Sequence, residues 1–346
     1  MTDFLGAFNA RLATYAAELE EMQARNASDD AFAPSFWLEK ADFTLARDVF
    51  VAACGSIGHE VTKFSLVYSG GKEPGTAEAA SICKALDKPC EQLVAAARVA
   101  LYSGVGPSLA AEIVGDALRL VKSVRELGVG IEAGELAKVP QLTGRVWEYS
   151  VARVSKSNCV ATKRSMLQCV TMLNSTIEEL KELLEEQDVD DEEDALAAQL
   201  EAVELEGALD FDARLSAAEK SLFESGLKLL TMTCAVLKRG VLTLKKYTAA
   251  SADGDAAFLR WTALLDRSYG AMKDPIVDLG AALYPPIDVA ELSAAVESVE
   301  QAGMVILAKL LAEPDVTATA TGELERGRNA FAVQVTTVKS QIEAAR

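Results

Sequence analysis

Four apolar stripes, each stepping by three and four residues, limit what this chain can fold into. One runs Met166, Val170, Leu173, Ile177, Leu180, Leu184, and another Leu109, Ile113, Ala117, Leu120, Val124, Leu127, with Pro107 and Ser108 as a start signal and Gly128 as a stop. A third, Leu292, Val296, Val299, Gly303, Ile306, Leu310, follows Pro285-Pro286 and ends before Pro314, and Leu324, Phe331, Val335, Val338 and Ile342 mark a last helix. Residues three and four apart share one side of a helix, so each stripe is an apolar face that needs a partner face. Half the residues are hydrophobic and only 6% aromatic, with Ala, Leu, Glu and Lys abundant, a mixture suited to closely packed helices. A length of 346 residues exceeds the roughly 100 to 200 of one domain and favours two cores.

The pattern predicts helices over 3–25, 35–69, 76–103, 108–127, 139–155, 158–187, 212–249, 255–282, 286–312 and 322–345. Helices of about 25 to 35 residues reach about 40 to 50 Å, which suits elongated up-and-down bundles. Short turns such as Ser69-Gly70-Gly71, 103–107 and 251–254 place consecutive helices side by side. Between Val61 and Tyr68 the alternation of Phe64, Leu66 and Tyr68 reads like a strand, but a lone strand has nothing to pair with, so helix is expected there too. The fold class is therefore all-α: an N-terminal bundle over 1–187, an acidic linker over 188–211 and a C-terminal bundle over 212–346.

Charge is distributed unevenly. Residues 178–206 hold 14 acids against the single base Lys181, and so carry 13 of the 18 net negative charges. Asp188, Asp190 and Glu192 alternate as calcium ligands would, yet a calcium loop begun at Asp188 needs glycine where Glu193 stands and glutamate where Gln199 stands. The stretch reads as a solvated divider, with Asp190 and Asp191 the candidates for contact with a basic partner. Neutralising Asp188 to Asp194 is expected to leave both bundles folded. Direct binding to nucleic acid is not expected, because the net charge of −18 repels phosphate and the basic pairs Lys163-Arg164, Lys238-Arg239 and Lys245-Lys246 are not interleaved with aromatics. No apolar run reaches the roughly 18 residues of a membrane span, and Met1 to Ala10 lacks the features of a secretory signal. The six cysteines show no CxxC spacing, so free thiols in a reducing compartment are expected.

No residue pattern points to catalysis, a cofactor or a metal. Gly70-Gly71-Lys72 lacks the leading glycine and following hydroxyl of a phosphate loop, and Gly128, Gly130 and Gly134 have the wrong spacing for a dinucleotide site and read as loop. His59, the only histidine, follows Cys54-Gly55-Ser56-Ile57-Gly58, but the glycine directly before Ser56 does not make a nucleophile elbow. A structural histidine is expected. The stripe from Met166 to Leu184 is read as a bundle core face rather than a dimer zipper, and the oligomeric state stays open.

Three segments carry a resemblance. Phe36-Trp37, then Gly144-Arg145-Val146-Trp147-Glu148 with Ser157-Asn158 and Lys163, and finally Ala282-Leu283-Tyr284-Pro285-Pro286-Ile287 are similar, in order and spacing, to the cyclin-D1-binding protein 1 family. The resemblance implies talin-rod-like bundles and a non-enzymatic regulator of cytoplasm and nucleus that binds D-type cyclins or helix-loop-helix factors without touching DNA. It carries no catalytic residues. The structural or partner-binding candidates it supplies are Trp147 as a core anchor, Asn158, and Tyr284 with Pro285 and Pro286 as a rigid turn. A cytoskeletal adaptor of the talin and vinculin type is the alternative that long bundles leave open.

Overall fold

The computed structural model describes residues 2–27, 41–69, 74–197, 215–244, 256–314 and 316–346, and ten α-helices occupy most of them. They are α1 (Thr2–Ala27), α2 (Ala41–Ser69), α3 (Thr76–Leu101), α4 (Pro107–Glu132), α5 (Val139–Ser150), α6 (Asn158–Ala197), α7 (Ala217–Leu244), α8 (Ala256–Ala282), α9 (Val289–Leu311) and α10 (Ala318–Ala345). Among the described residues there is no strand, and no helix is long and apolar enough to cross a membrane. The chain folds as an all-α helical bundle protein. Helix α2 runs unbroken through Val61 to Tyr68, where Phe64 is buried, Leu66 faces water and the rings of Phe64 and Tyr68 pack at a tilt of 50° with centres 4.9 Å apart.

The contacts divide the chain into two compact units, Met1–Thr162 with Ala249–Arg260 and Lys163–Thr248 with Trp261–Arg346. In the first, α1 packs on α3 and α4, and α2 on α3 and α5. Its core joins Phe8, Leu12 and Leu19 of α1 to Phe50, Ile57 and Phe64 of α2 and to the whole predicted stripe of α4, with Phe8 and Phe64 rings 5.6 Å apart. Surface ion pairs tie α1 to its neighbours: Arg11 to Asp87 at 2.9 Å, Arg98 to Glu18, and Lys122 to Glu20 at 2.6 Å. Each such exposed pair contributes at most about 1 kcal/mol, so the apolar faces dominate.

The boundary expected at residue 187 differs from this division, because the α6 stripe packs within the second unit. Cys169 donates to the Tyr269 carbonyl at 3.6 Å and Cys234 to Asn174 Oδ1 at 3.2 Å. Helix α6 also continues through Ala197, so the first ten residues of the expected linker (188–197) are helical. Glu192, Glu193, Ala195, Leu196 and Ala197 are good helix formers and favour the extension, whereas Val189 and the four Asp residues of this stretch do not. The side chains of 186–197, Asp190 and Asp191 among them, and all of 198–214, lie outside the described residues, as do Phe36-Trp37 and Gly70-Gly71-Lys72.

Helix α4 corrects the reading of Gly128 as a stop and of Gly128 and Gly130 as loop. Both are helical and buried. They are glycine because of what packs there: a Cβ on Gly128 would collide with Asn9 Oδ1, and one on Gly130 would stand 3.1 Å from Leu142 Cδ1. The helix ends at Glu132 and the chain turns away at Gly134, whose φ of +75° suits glycine, with Glu135 N bonded to Gly130 O at 2.8 Å and Gly134 N to Ile131 O at 3.0 Å. Two further starts differ from expectation because side chains cap them. Asp288 Oδ1 accepts from Ala290 N and Glu291 N, starting α9 at Val289, and Thr317 Oγ1 accepts from Ala320 N, starting α10 at Ala318.

All six cysteines sit on helices without a disulfide, Cys159 half-buried and the other five buried.

Candidate functional site

Helix α5 crosses α2 along a seam of small and hydroxylated side chains. Ser65 and Thr143 share a buried hydrogen bond of 2.6 Å, Thr143 Oγ1 also donates to Val139 O at 2.7 Å, and Gly58 opposes Ser150, whose Oγ would lie 2.5 Å from a Cβ there. Small partners draw the two helices together and leave large residues to the flanks. Trp147 stands on such a flank, 48% exposed, with its indole Nε1 donating to Thr62 Oγ1 at 3.2 Å. Leu66 at 68% and Val151 at 61% exposure are further apolar side chains on α2 and just beyond α5.

Trp147 is therefore not the core anchor expected of it. Val139, Thr143 and Val146 are the buried residues of α5, and at about 100° per residue Trp147 lies about 80° round the helix from Val139. Val146, fully buried, takes the anchoring place. The stripe Val139, Thr143, Val146 was the available signal, and the size of the tryptophan outweighed it.

Asn158 holds a turn. Its Oδ1 accepts from Gly106 N at 2.6 Å and its Nδ2 donates to Gly104 O at 3.0 Å, which fixes the connection between α3 and α4 from 52 residues away in sequence. Beside it, Ser155 donates from N and Oγ to the Glu112 carboxylate at 2.9 and 3.0 Å, and Arg47 reaches Val154 O at 3.5 Å. Glu112 and Arg47 were not singled out from sequence, because a lone acid or base on a predicted helix looks solvated. Ser157 caps α6 by accepting from Val160 N at 3.3 Å.

In the second unit, Tyr284, Pro285 and Pro286 lie between α8 and α9, and the Pro285-Pro286 peptide is cis. The Tyr284 hydroxyl donates to Glu179 Oε1 at 2.5 Å, and this bond, with some burial, pushes the phenol up to about 12. Ile287 N donates to Glu219 Oε1 at 3.2 Å, while the other Glu219 oxygen closes a capping box with Ser216 at the start of α7. Hydrogen bonds from Ser216, first its side chain and then its backbone, hold the Glu219 carboxyl below the usual carboxylate range. One carboxylate thus ties the turn before α9 to the start of α7. The turn brings together Tyr284, Glu179 and Glu219; Trp147 and Asn158 belong to the other unit.

His59 is exposed on α2 rather than structural. Close to it in sequence, the Ser56 hydroxyl donates to its own helix at Ala52 O, 2.9 Å away, and burial pushes the Cys54 thiol up to about 12, opposite to what a nucleophilic cysteine needs. Among the described residues no group of three His, Cys, Asp or Glu side chains is placed to hold a metal ion.

Residues 51–186 match the family model described as Grap2 and cyclin-D-interacting, N-terminal, so this segment is similar to that domain. The match includes Gly144 to Glu148, Asn158 and Lys163, whereas Phe36-Trp37 and the Tyr284-Pro285-Pro286 turn fall outside it. No curated protein matches the chain.

Proposed function

We propose that this chain is a non-enzymatic interaction protein that binds D-type cyclins or helix-loop-helix factors and so restrains cell-cycle entry or transcription, in cytoplasm and nucleus. The observation that carries the reading is the match of residues 51–186 to a model described by its cyclin-D interaction. Within that segment the exposed indole of Trp147, with Leu66 and Val151, is the surface we assign to the contact. A large aromatic side chain held by one hydrogen bond loses little freedom on binding, and tryptophan is enriched among the residues that dominate interfaces. The formal charge of −18 favours protein partners over nucleic acid, and the buried Cys54 thiol and self-bonded Ser56 hydroxyl leave no activated nucleophile beside His59.

Titration of the full chain with a purified D-type cyclin, followed by calorimetry, tests this. Binding is expected, and Trp147→Ala should weaken it by about 30-fold, the effect of losing a contact worth about 2 kcal/mol. If the unaltered chain binds no D-type cyclin and retains no helix-loop-helix protein from native extract, the reading fails. Equal binding by Trp147→Ala would move the contact elsewhere on the domain.

A further inference from the structure

The second unit carries a groove between α7 and α10, floored by Leu307 and Leu310 of α9 and by Leu324 and Phe331 of α10, with a volume of about 240 Å³. Its walls are small: Ala235 of α7 and Gly327 and Ala330 of α10 are all exposed, and a Cβ on Gly327 would meet open space. The groove lies below the roughly 300 to 1,000 Å³ of pockets that enclose small molecules, and apart from Arg239 and Glu323 its lining is apolar. That shape suits side chains projecting from another helix, in the manner of an amphipathic helix laid into an apolar cleft.

Charge identifies which helix. Beyond Glu224, α7 has no acidic residue, while Lys228, Lys238 and Arg239 contribute three positive charges to a chain whose total is −18. Lys228 and Lys238 are exposed, and Arg239 lines the groove with a 3.3 Å ion pair to Glu323 of α10. Along the facing stretch of α10, Glu323 and Glu325 offset Arg326 and Arg328, so the net charge of the two flanking helices comes from α7, where Lys228 stands one turn before the groove residue Met232 and Lys238 three residues beyond Ala235. We infer that this groove is a second docking surface, separate from the Trp147 surface and outside the matched segment, and that its occupant is an amphipathic helix of another protein, apolar on one side and acidic on the flanks.

The test uses the full chain and a defined probe: a fluorescein-labelled helical peptide with leucines spaced by four and three on a glutamate and alanine background, titrated by fluorescence anisotropy. The peptide is expected to bind, and its counterpart with lysine in place of glutamate to bind roughly tenfold more weakly, as the sum of several exposed charge pairs. Lys228→Glu combined with Lys238→Glu should reverse that preference. Gly327→Leu fills the groove from a position with no neighbour to displace and replaces a poor helix former, so it should abolish binding without lowering the circular dichroism signal or the melting temperature. Trp147→Ala should leave peptide binding intact, which separates this surface from the cyclin contact. Equal binding of the two peptides, or undiminished binding by Gly327→Leu, would overturn the inference. So would light scattering that shows a dimer broken by Gly327→Leu in a chain that ignores the peptide, since the groove would then belong to a second copy.

Discussion

The two units use helical glycines in opposite ways. In the first, most face polar side chains: Gly58 opposes Ser150, Gly128 opposes Asn9 and Gly6 stands opposite Glu132, with Gly130 against Leu142 the exception. In the second they face bulk, for a Cβ on Gly226 would lie 2.6 Å from Leu283, one on Gly303 2.6 Å from Phe331, and one on Gly240 would collide with the Tyr269 hydroxyl. Large residues that nest against glycine are drawn inside, and small ones such as Ala235 and Gly327 are left on the rim, which makes a socket. Where glycine and hydroxyls close the seam instead, as between α2 and α5, the tryptophan stays outside and makes a knob. The position of bulk relative to the seam, rather than the amount of apolar residue, decides which shape a bundle presents.

Gly240→Val attacks the second arrangement at its tightest point. It should displace the Tyr269 hydroxyl from Leu237 O, 2.5 Å away, and destabilise the unit by about 3 kcal/mol in urea unfolding, because a packed core cannot yield easily. A loss below about 1 kcal/mol would mean that the socket unit packs loosely and would break the contrast. Asn158→Ala removes two hydrogen bonds to the turn between α3 and α4 and should cost about 2 kcal/mol by the same measurement. Gly128→Ala should cost about 1 to 2 kcal/mol in the first unit, and adding Asn9→Ala should recover part of it, since the two changes share one space. Simple additivity of the pair would show that the polar fit is not what fixes the glycine. Trp147→Ala should change stability by less than about 1 kcal/mol, as expected for a half-exposed side chain with one hydrogen bond.

The smallest effect is spectroscopic. The Tyr284 phenol is raised from 10.0 to about 12, so its contribution is complete below pH 10 and disappears as the pH rises through about 12. Ultraviolet difference absorbance should find it ionising later than free tyrosine, and Glu179→Gln should bring it back toward the ordinary value.

The helices were legible because their stripes are long. Every residue of the Leu109 to Leu127, Leu292 to Leu310 and Leu324 to Ile342 patterns is buried, and only Leu184 at the end of the Met166 stripe is half-buried. Pro89 and Pro275 sit inside α3 and α8 without ending them, within the spans 76–103 and 255–282 expected to be helical. What sequence could not show was the third dimension of a small residue. Gly128 looks like a stop until Asn9 is seen against it, and Trp147 looks like core until Val146 is seen to fill that place. The candidate site was legible as residues and not as roles: Trp147 was singled out for burial and proved exposed, whereas Asn158 proved to grip a turn through partners more than 50 positions away. The groove of the second unit left no sequence signal, because Ala235, Gly327 and Ala330 are ordinary helix residues until three helices place them around one space.

The buried cysteines give each unit a clock of its own. Cys54, Cys83 and Cys90 report on the first unit and Cys169 and Cys234 on the second. Burial raises the thiols of Cys54, Cys83, Cys90 and Cys169, so in the native state they are both screened and protonated. A thiol reagent can modify them only when the surrounding helices part, and with closing faster than labelling, the rate at each cysteine reads the opening free energy of that unit. A partner that binds one unit alone should slow its own set of cysteines and leave the other set running at the original rate.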